Sequence, residues 1–350
     1  MSVHYRGRHV QRRRRRLNRR GRILLLLAVL CCAGLLALLA HTVAAAKTKA
    51  KPEEPEKPAP AEVVIAPVEL PEEPDPLYAL TPAPETLALE EGVLQSEFAV
   101  FADAETGQIL SERNSTERMY PASMTKVMTL LVAAEHLSDR SGSFTMTRPD
   151  ADYCYVNKCS VVGYEVGEEI PVNELFYGCI LCSGADACLG LAYVSAGGQE
   201  PFVEWMNEKA EELGIADTCH FTNCVGLYDP EHYCTARDIA VILHAAMEDE
   251  FCRTVLSTPI YHSQPTEQHP DGQVLSNWFL RRMEIRDCGD AKVLCGKTGY
   301  VPESGNCAVS YGEDADGHGW LCVTGKAGTQ WLTIADHALL YRTRGTGAEP

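Results

Sequence analysis

An α/β (α+β) domain, an antiparallel sheet flanked by helices with an all-helical subdomain beside it, is the fold class this 350-residue chain predicts. Three observations predict it. Strand-like runs stand at residues 98–112 and again between 293 and 324; apolar segments of helical period fill the interval; and a last amphipathic run, 330–341, follows the final strand. About 250 residues of this kind can bury one core.

Residues 98–112 read as two strands around the turn Asp103-Ala104-Glu105-Thr106-Gly107, whose aspartate and glycine are turn formers. Pro121 suits a helix entrance, and the apolar run from Val127 to Ala134 carries that helix to about Leu137. Helical segments follow near 172–180, 185–195 and 201–213, the last stopped by Gly214 at a C-terminal cap. Residues 235–248 predict another, with Thr235 and Asp238 as a capping-box variant. Residues 293–298 and 306–311 read as neighbouring strands, and 320–324 as a third. The closing helix turns Leu332, Ala335, Leu339 and Leu340 to its apolar side.

Ahead of this domain, expected over 93–345, three segments differ in composition. Residues 1–22 hold ten arginines and no acid, and read as a basic cytoplasmic tail. Residues 23–46 begin with an apolar run long enough to span a bilayer. The small residues Ala44-Ala45-Ala46 also fit a cleaved signal peptide, but the length of the run favours a retained signal-anchor. Both readings put the rest of the chain on the extracytoplasmic face of a membrane or in the wall beyond it. Residues 47–92 predict an extended, disordered linker, since ten of the chain's twenty prolines fall there among glutamates. Without the ten N-terminal arginines, 21 basic residues face 48 acidic ones. That acidity excludes nucleic acid as a partner.

Two short motifs carry chemistry. In Ser123-Met124-Thr125-Lys126 a serine and a lysine stand three positions apart, on one helix face, so the amine can take the proton of the hydroxyl. Near a helix start, Ser123 would also meet free backbone N–H groups where an oxyanion develops. Far downstream, Lys297-Thr298-Gly299 supplies a second amine, a hydroxyl and a residue that lets a substrate lie against the backbone. An S-x-x-K pattern occurs roughly once by chance in such a chain, whereas K-T-G is expected in fewer than ~0.1 of them. The pair in this order predicts a serine acyl-transferase acting on a substrate that ends in a carboxylate.

The stretch Tyr120-Pro121-Ala122-Ser123-Met124-Thr125-Lys126-Val127-Met128-Thr129 resembles the serine D-Ala-D-Ala carboxypeptidases, the low-molecular-mass penicillin-binding proteins. Met206-Asn207, Leu213-Gly214, Phe221-Thr222-Asn223, Gly226-Leu227 and the run from Thr235 to Ala240 extend the likeness, which covers about residues 98–342. The resemblance implies a β-lactamase/transpeptidase-like fold and no cofactor or metal. It implies catalytic roles for Ser123, Lys126 and Ser183, and substrate-binding roles for Lys297, Thr298, Gly299 and Tyr300, the backbone N–H groups of Ser123 and Tyr300 holding the oxyanion. Its implied partners are a peptidoglycan stem peptide, β-lactams as inhibitors, and a membrane through the N-terminal segment. One departure stands out: in Ser183-Gly184-Ala185 alanine replaces the family's usual asparagine, leaving Asp186 or a water to fill the gap. Two other readings follow. A class A-like β-lactamase needs a water-activating glutamate, for which Glu204 is the nearest candidate, and a non-catalytic peptidoglycan-binding or β-lactam-sensing module fits the alanine.

Fifteen cysteines leave thirteen outside the apolar run, an odd number. Cys154 with Cys159, Cys219 with Cys224, and Cys295 with Cys307 are spaced for disulfides, and all remain thiols in a reducing setting. Cys179 and Cys182 sit in an apolar helical stretch and read as core. No H-E-x-x-H pattern occurs, so a zinc-dependent peptidase is disfavoured, and His220, His232 and His244 read as surface or lightly buried residues.

Overall fold

The structure, a computed structural model, describes residues 78–347. The basic tail, the apolar segment and the linker up to residue 77 lie outside the described residues. The first element, β1 (Thr81–Ala88), falls inside the segment expected to be linker. It is a largely exposed edge strand that pairs in parallel with β3, its register broken between Pro82 and Leu87. Proline is tolerated on an edge because a missing N–H there costs no ladder bond.

After β1 come β2 (Phe98–Asp103), β3 (Gln108–Arg113), the turn Ala122–Met124, α1 (Thr125–His136), β4 (Ser143–Thr145) and α2 (Arg148–Val156). Then follow β5 (Glu169–Pro171), α3 (Val172–Leu181), α4 (Ala185–Ala196), α5 (Gln199–Glu212), α6 (Ala236–Glu248) and α7 (Glu250–Leu256). The chain closes through β6 (Ile260–His262), β7 (Val274–Ser276), α8 (Leu280–Met283), β8 (Lys292–Val301), β9 (Gly305–Glu313), β10 (Gly319–Ala327) and α9 (Gln330–Arg342).

Six strands form the main sheet in the order β1-β3-β2-β10-β9-β8. Phe98-Ala99-Val100-Phe101-Ala102 is buried throughout because both faces of the sheet are covered. Val100 and Ala102 pack toward the helical subdomain; Ala99 and Phe101 pack with Ile334, Ala338 and Tyr341 of α9. The expected inner side of α9 is corrected in part: Leu340 is buried as expected, but Ala335 is exposed and Leu332 and Leu339 half-buried, whereas Ile334, His337, Ala338 and Tyr341 are buried. These follow i, i+3, i+4, i+7 spacing. His337 and Tyr341 read as polar in sequence, but their rings fill the core while Ser310 and Thr324 satisfy their polar atoms.

In the subdomain, α1 is buried from Thr125 to Ala134 and packs against α3, α4, α5, α6 and α7. A helix apolar on all sides belongs at such a centre. The turn that leads into it touches β8 and β9, so the start of the central helix meets the edge of the sheet.

The thirteen cysteines among the described residues are free thiols. Cys295 and Cys307 cannot meet, since the β8–β9 register sets Cys295 opposite Tyr311 and Cys307 opposite Gly299. Cys154 and Cys159 belong to a Schellman motif ending α2. The Cys159 N–H donates to the Cys154 carbonyl at 2.9 Å and the Lys158 N–H to the Tyr155 carbonyl at 3.2 Å. His232 is fully buried, against the sequence expectation, while His220 and His244 are half-buried.

Candidate active site

Ser123 stands in the 3-10 turn that precedes α1 rather than in the helix itself. Ala122 beside it takes a φ of 45°, a left-handed conformation that strains alanine. Gly226 presses on this turn: at φ +81°, a Cβ built there would lie 2.0 Å from the Ala122 carbonyl oxygen. Only glycine fits that approach.

Lys126, one turn on, is 2% exposed, and its Nζ lies 3.1 Å from Ser123 Oγ. The same amine donates to the Val225 carbonyl. Asn223 shapes that loop, its Oδ1 accepting from the N–H groups of Val225, Gly226 and Leu227 at 3.2, 2.8 and 3.0 Å. Behind Lys126, His232 Nδ1 accepts the Thr222 N–H at 3.1 Å, so its Nε2–H donates to Thr125 Oγ1 at 2.8 Å. Burial pushes the pKa of His232 down to about 4 and keeps the ring neutral.

Ser183 joins α3 to α4 with a φ of 56°. Its hydroxyl accepts from Lys297 Nζ at 2.9 Å, and Lys297 also donates to the Thr298 carbonyl at 2.7 Å. Burial first, then the nearby charge of Lys126, pushes the pKa of Lys297 down to about 7. Ala185 is buried, and its N–H donates to the Ser160 carbonyl at 2.8 Å. Asp186 does not fill the place of the family asparagine. Its carboxylate accepts from the N–H groups of Val162, Gly163 and Ala187, each at 2.9 Å, and holds the loop before β5. Burial raises its pKa against the pull of those donors.

Thr298, Gly299 and Tyr300 lie on β8, the outer strand of the sheet, whose unpaired edge offers backbone groups to an extended ligand. A Cβ at Gly299 would lie 2.9 Å from both the Pro121 carbonyl oxygen and the Ser123 nitrogen. Glycine therefore lets β8 close on the serine turn. Two adjoining hollows open here. One, of about 230 Å³, is lined by Lys297, Asn277 and Trp278; the other, of about 270 Å³, by Ser123, Lys158, Tyr300 and Asn306. Both touch Ser160, Ser183, Thr298 and Gln330.

All seven residues singled out in the sequence thus gather at one cleft, with Lys126 reaching it through Ser123. Sequence reasoning placed Asn223 only within the family likeness, with no role, and missed Val225, Ser160, Asn306 and Gln330, which carry no local motif and arrive only through folding. Among the described residues no group of three or more His, Cys, Asp or Glu could hold a metal ion. Glu204 is exposed on α5, and the neighbouring Asn207 clamps Phe221, donating to its carbonyl and accepting its N–H, each at 2.9 Å.

The profile of the D-alanyl-D-alanine carboxypeptidases matches residues 85–321, more than half of the chain, including the seven residues of the cleft. The chain belongs to this family. The family is one of serine hydrolases. The D-alanyl-D-alanine carboxypeptidase DacF of Bacillus subtilis is 36% identical over 180 residues, 50% of this chain and 46% of its own length. The chain thus spans about half the length of the curated relatives it matches. A D-alanyl-D-alanine carboxypeptidase of Mycobacterium tuberculosis superposes with a TM-score of 0.64 at 26% identity, covering 76% of this chain and 96% of that one. A Streptomyces DD-transpeptidase gives a TM-score of 0.65 at 24% identity, over 73% of this chain and all of that one, and shows the shared fold.

Proposed function

We propose that this chain is a serine D-Ala-D-Ala carboxypeptidase that removes the terminal D-alanine from peptidoglycan stem pentapeptides through an acyl-enzyme on Ser123. One observation carries the reading: the buried Lys126 amine lies 3.1 Å from Ser123 Oγ while a second buried lysine, Lys297, stands at Ser183 across the same cleft.

In this mechanism the amine of Lys126 takes the Ser123 proton as Oγ attacks the carbonyl between the two D-alanines. The backbone N–H groups of Ser123 and Tyr300 hold the oxyanion. The C–N bond breaks as Ser183, held by Lys297, passes its proton to the departing amine and regains one from Lys126, which thereby releases the proton it took from Ser123. Lys297 and the Thr298 hydroxyl grip the terminal carboxylate, a charge-assisted contact that fixes register. Water then cleaves the ester and restores Ser123. Every bond-making and bond-breaking role is filled without the asparagine that Ala185 replaces. β-Lactams, which carry an amide beside a carboxylate, acylate the same oxygen and leave slowly.

The basic and apolar N-terminal segments support an extracytoplasmic location with the chain held to the membrane by its N-terminus. Among the described residues no helix is long and apolar enough to cross a membrane.

The test is fluorescent penicillin labelling together with D-alanine release from a pentapeptide. Ser123→Ala is expected to abolish both, and Lys126→Ala to lower both by roughly a thousandfold or more. Turnover retained in either variant overturns the mechanism. Labelling with rapid drug release and no D-alanine would instead favour a β-lactamase.

A further inference from the structure

Lys158 is the one residue lining the serine-side hollow, among the described residues, that carries a charge. It is exposed, and among the described residues no carboxylate pairs with it. Its backbone holds a φ of 54° at the left-handed position of the Schellman motif, where glycine or asparagine is usual. The end of α2 therefore needs no lysine there; the backbone would be more relaxed without one.

On the carboxypeptidase reading, the two hollows would divide the substrate. The one with Lys297 and Asn277, away from Ser123, suits the terminal D-alanine and its carboxylate. The one with Ser123 and Lys158 receives the acyl part, the peptide upstream of the scissile bond. Stem peptides differ there in charge. Their third residue is either a diamino diacid with a free carboxylate or a lysine with a free amine.

We propose that Lys158 is a specificity-determining residue that reads a carboxylate on the third residue of the stem, favouring stems built on a diamino diacid over amidated or lysine-bearing ones. This rests on the carboxypeptidase reading of the same cleft. Lys158 lines an otherwise neutral hollow in a strongly acidic chain, and also borders a second hollow beside Cys154 and Tyr164, so a matching anion at the serine-side hollow gains one local contact against a repulsive surround.

The experiment compares D-alanine release from three peptides that differ only at the third residue: the free diamino diacid, its carboxamide, and lysine. The intact protein is expected to show a kcat/KM about five- to tenfold higher for the free carboxylate than for the carboxamide, a gap that narrows with added salt. K158G and K158N, both suited to the left-handed backbone, are expected to erase the gap while keeping or raising Tm. K158R restores it. A purely structural lysine would leave the ratio unmoved. Equal kcat/KM across the three peptides, or a gap that survives in K158G, overturns the proposal. If no peptide yields D-alanine, the carboxypeptidase reading fails by itself. Lys158 is then read by how well the same peptides protect Ser123 from fluorescent penicillin, and equal protection by carboxylate and carboxamide overturns the proposal there too.

Discussion

At the scale of single residues, the site depends as much on absent side chains as on reactive ones. Gly226 and Gly299 let two backbone segments close on the serine turn, and a Cβ at either would meet main-chain atoms. Gly226→Ala is expected to cost about 3 kcal/mol, from both the positive φ and the clash, and to abolish penicillin labelling. Thermal melting and labelling of one preparation check both effects. Lys297 makes a second case. Its folded pKa of about 7 lies below the ordinary 10.5, so its charge is present at lower pH and lost as pH rises through 7. Acylation by a carboxylate-bearing β-lactam is therefore expected to slow above pH 7, and the same drug as its methyl ester to lack that limb. For stability the sign is reversed. A lysine with a depressed folded pKa is most favourable above 10.5, and that contribution is lost as pH falls toward 7. Lys297→Met should thus leave Tm at neutral pH unchanged or higher while weakening turnover.

At the scale of elements, helix ends decide more than helix middles. The α6 entrance closes a reciprocal box: the Asp238 N–H donates to Thr235 Oγ1 at 3.1 Å, and the Thr235 N–H donates to Asp238 Oδ2 at 2.7 Å. Thr235→Ala is expected to destabilise the domain by about 1–2 kcal/mol in urea denaturation. Because α6 packs on α1 and β10, a small change in Tm alone, without the same shift in the urea midpoint, would contradict a cap that acts on the whole fold. This box was legible in sequence, as were the strands around Asp103–Gly107 and the helix after Pro121. The inner side of α9 was not. Hydropathy credits Leu332 and Ala335 and overlooks His337 and Tyr341, whose rings are buried only because Ser310 and Thr324 wait inside to bond them. The strand over 81–88 was hidden by its prolines, which speak for a linker until an edge is available to pair with.

At the scale of the whole molecule, two buried imidazoles set the response to acid. Burial pushes His232 to about 4 and His337 to about 3, both below the ordinary 6.5. Folding then favours the neutral rings, so stability is present above pH 6.5 and is lost as pH falls through 4. His232 alone contributes a loss on the order of 3 kcal/mol. Asp186, Asp238 and Asp336, all raised by burial above the ordinary 3.8, act in the opposite sense and soften the loss as pH falls toward 3.8. The urea midpoint is expected to drop between pH 7 and 4.5, and to drop less in His232→Gln. An unchanged midpoint in the intact protein would show that the rings are open to solvent.

The sequence by itself determined the candidate residues of the cleft and the class of fold. Ser123 and Lys126 are joined by helical geometry over three residues, and alternation or helical period marks most elements, since both are rules of local backbone. What only the tertiary structure decided is how distant pieces meet: Lys297 with Ser183 across 114 positions, Lys126 with the Val225 carbonyl across 99. No local rule reaches that far. Such contacts form because burying the two sides of one sheet and the whole of α1 leaves the chain a single way to close.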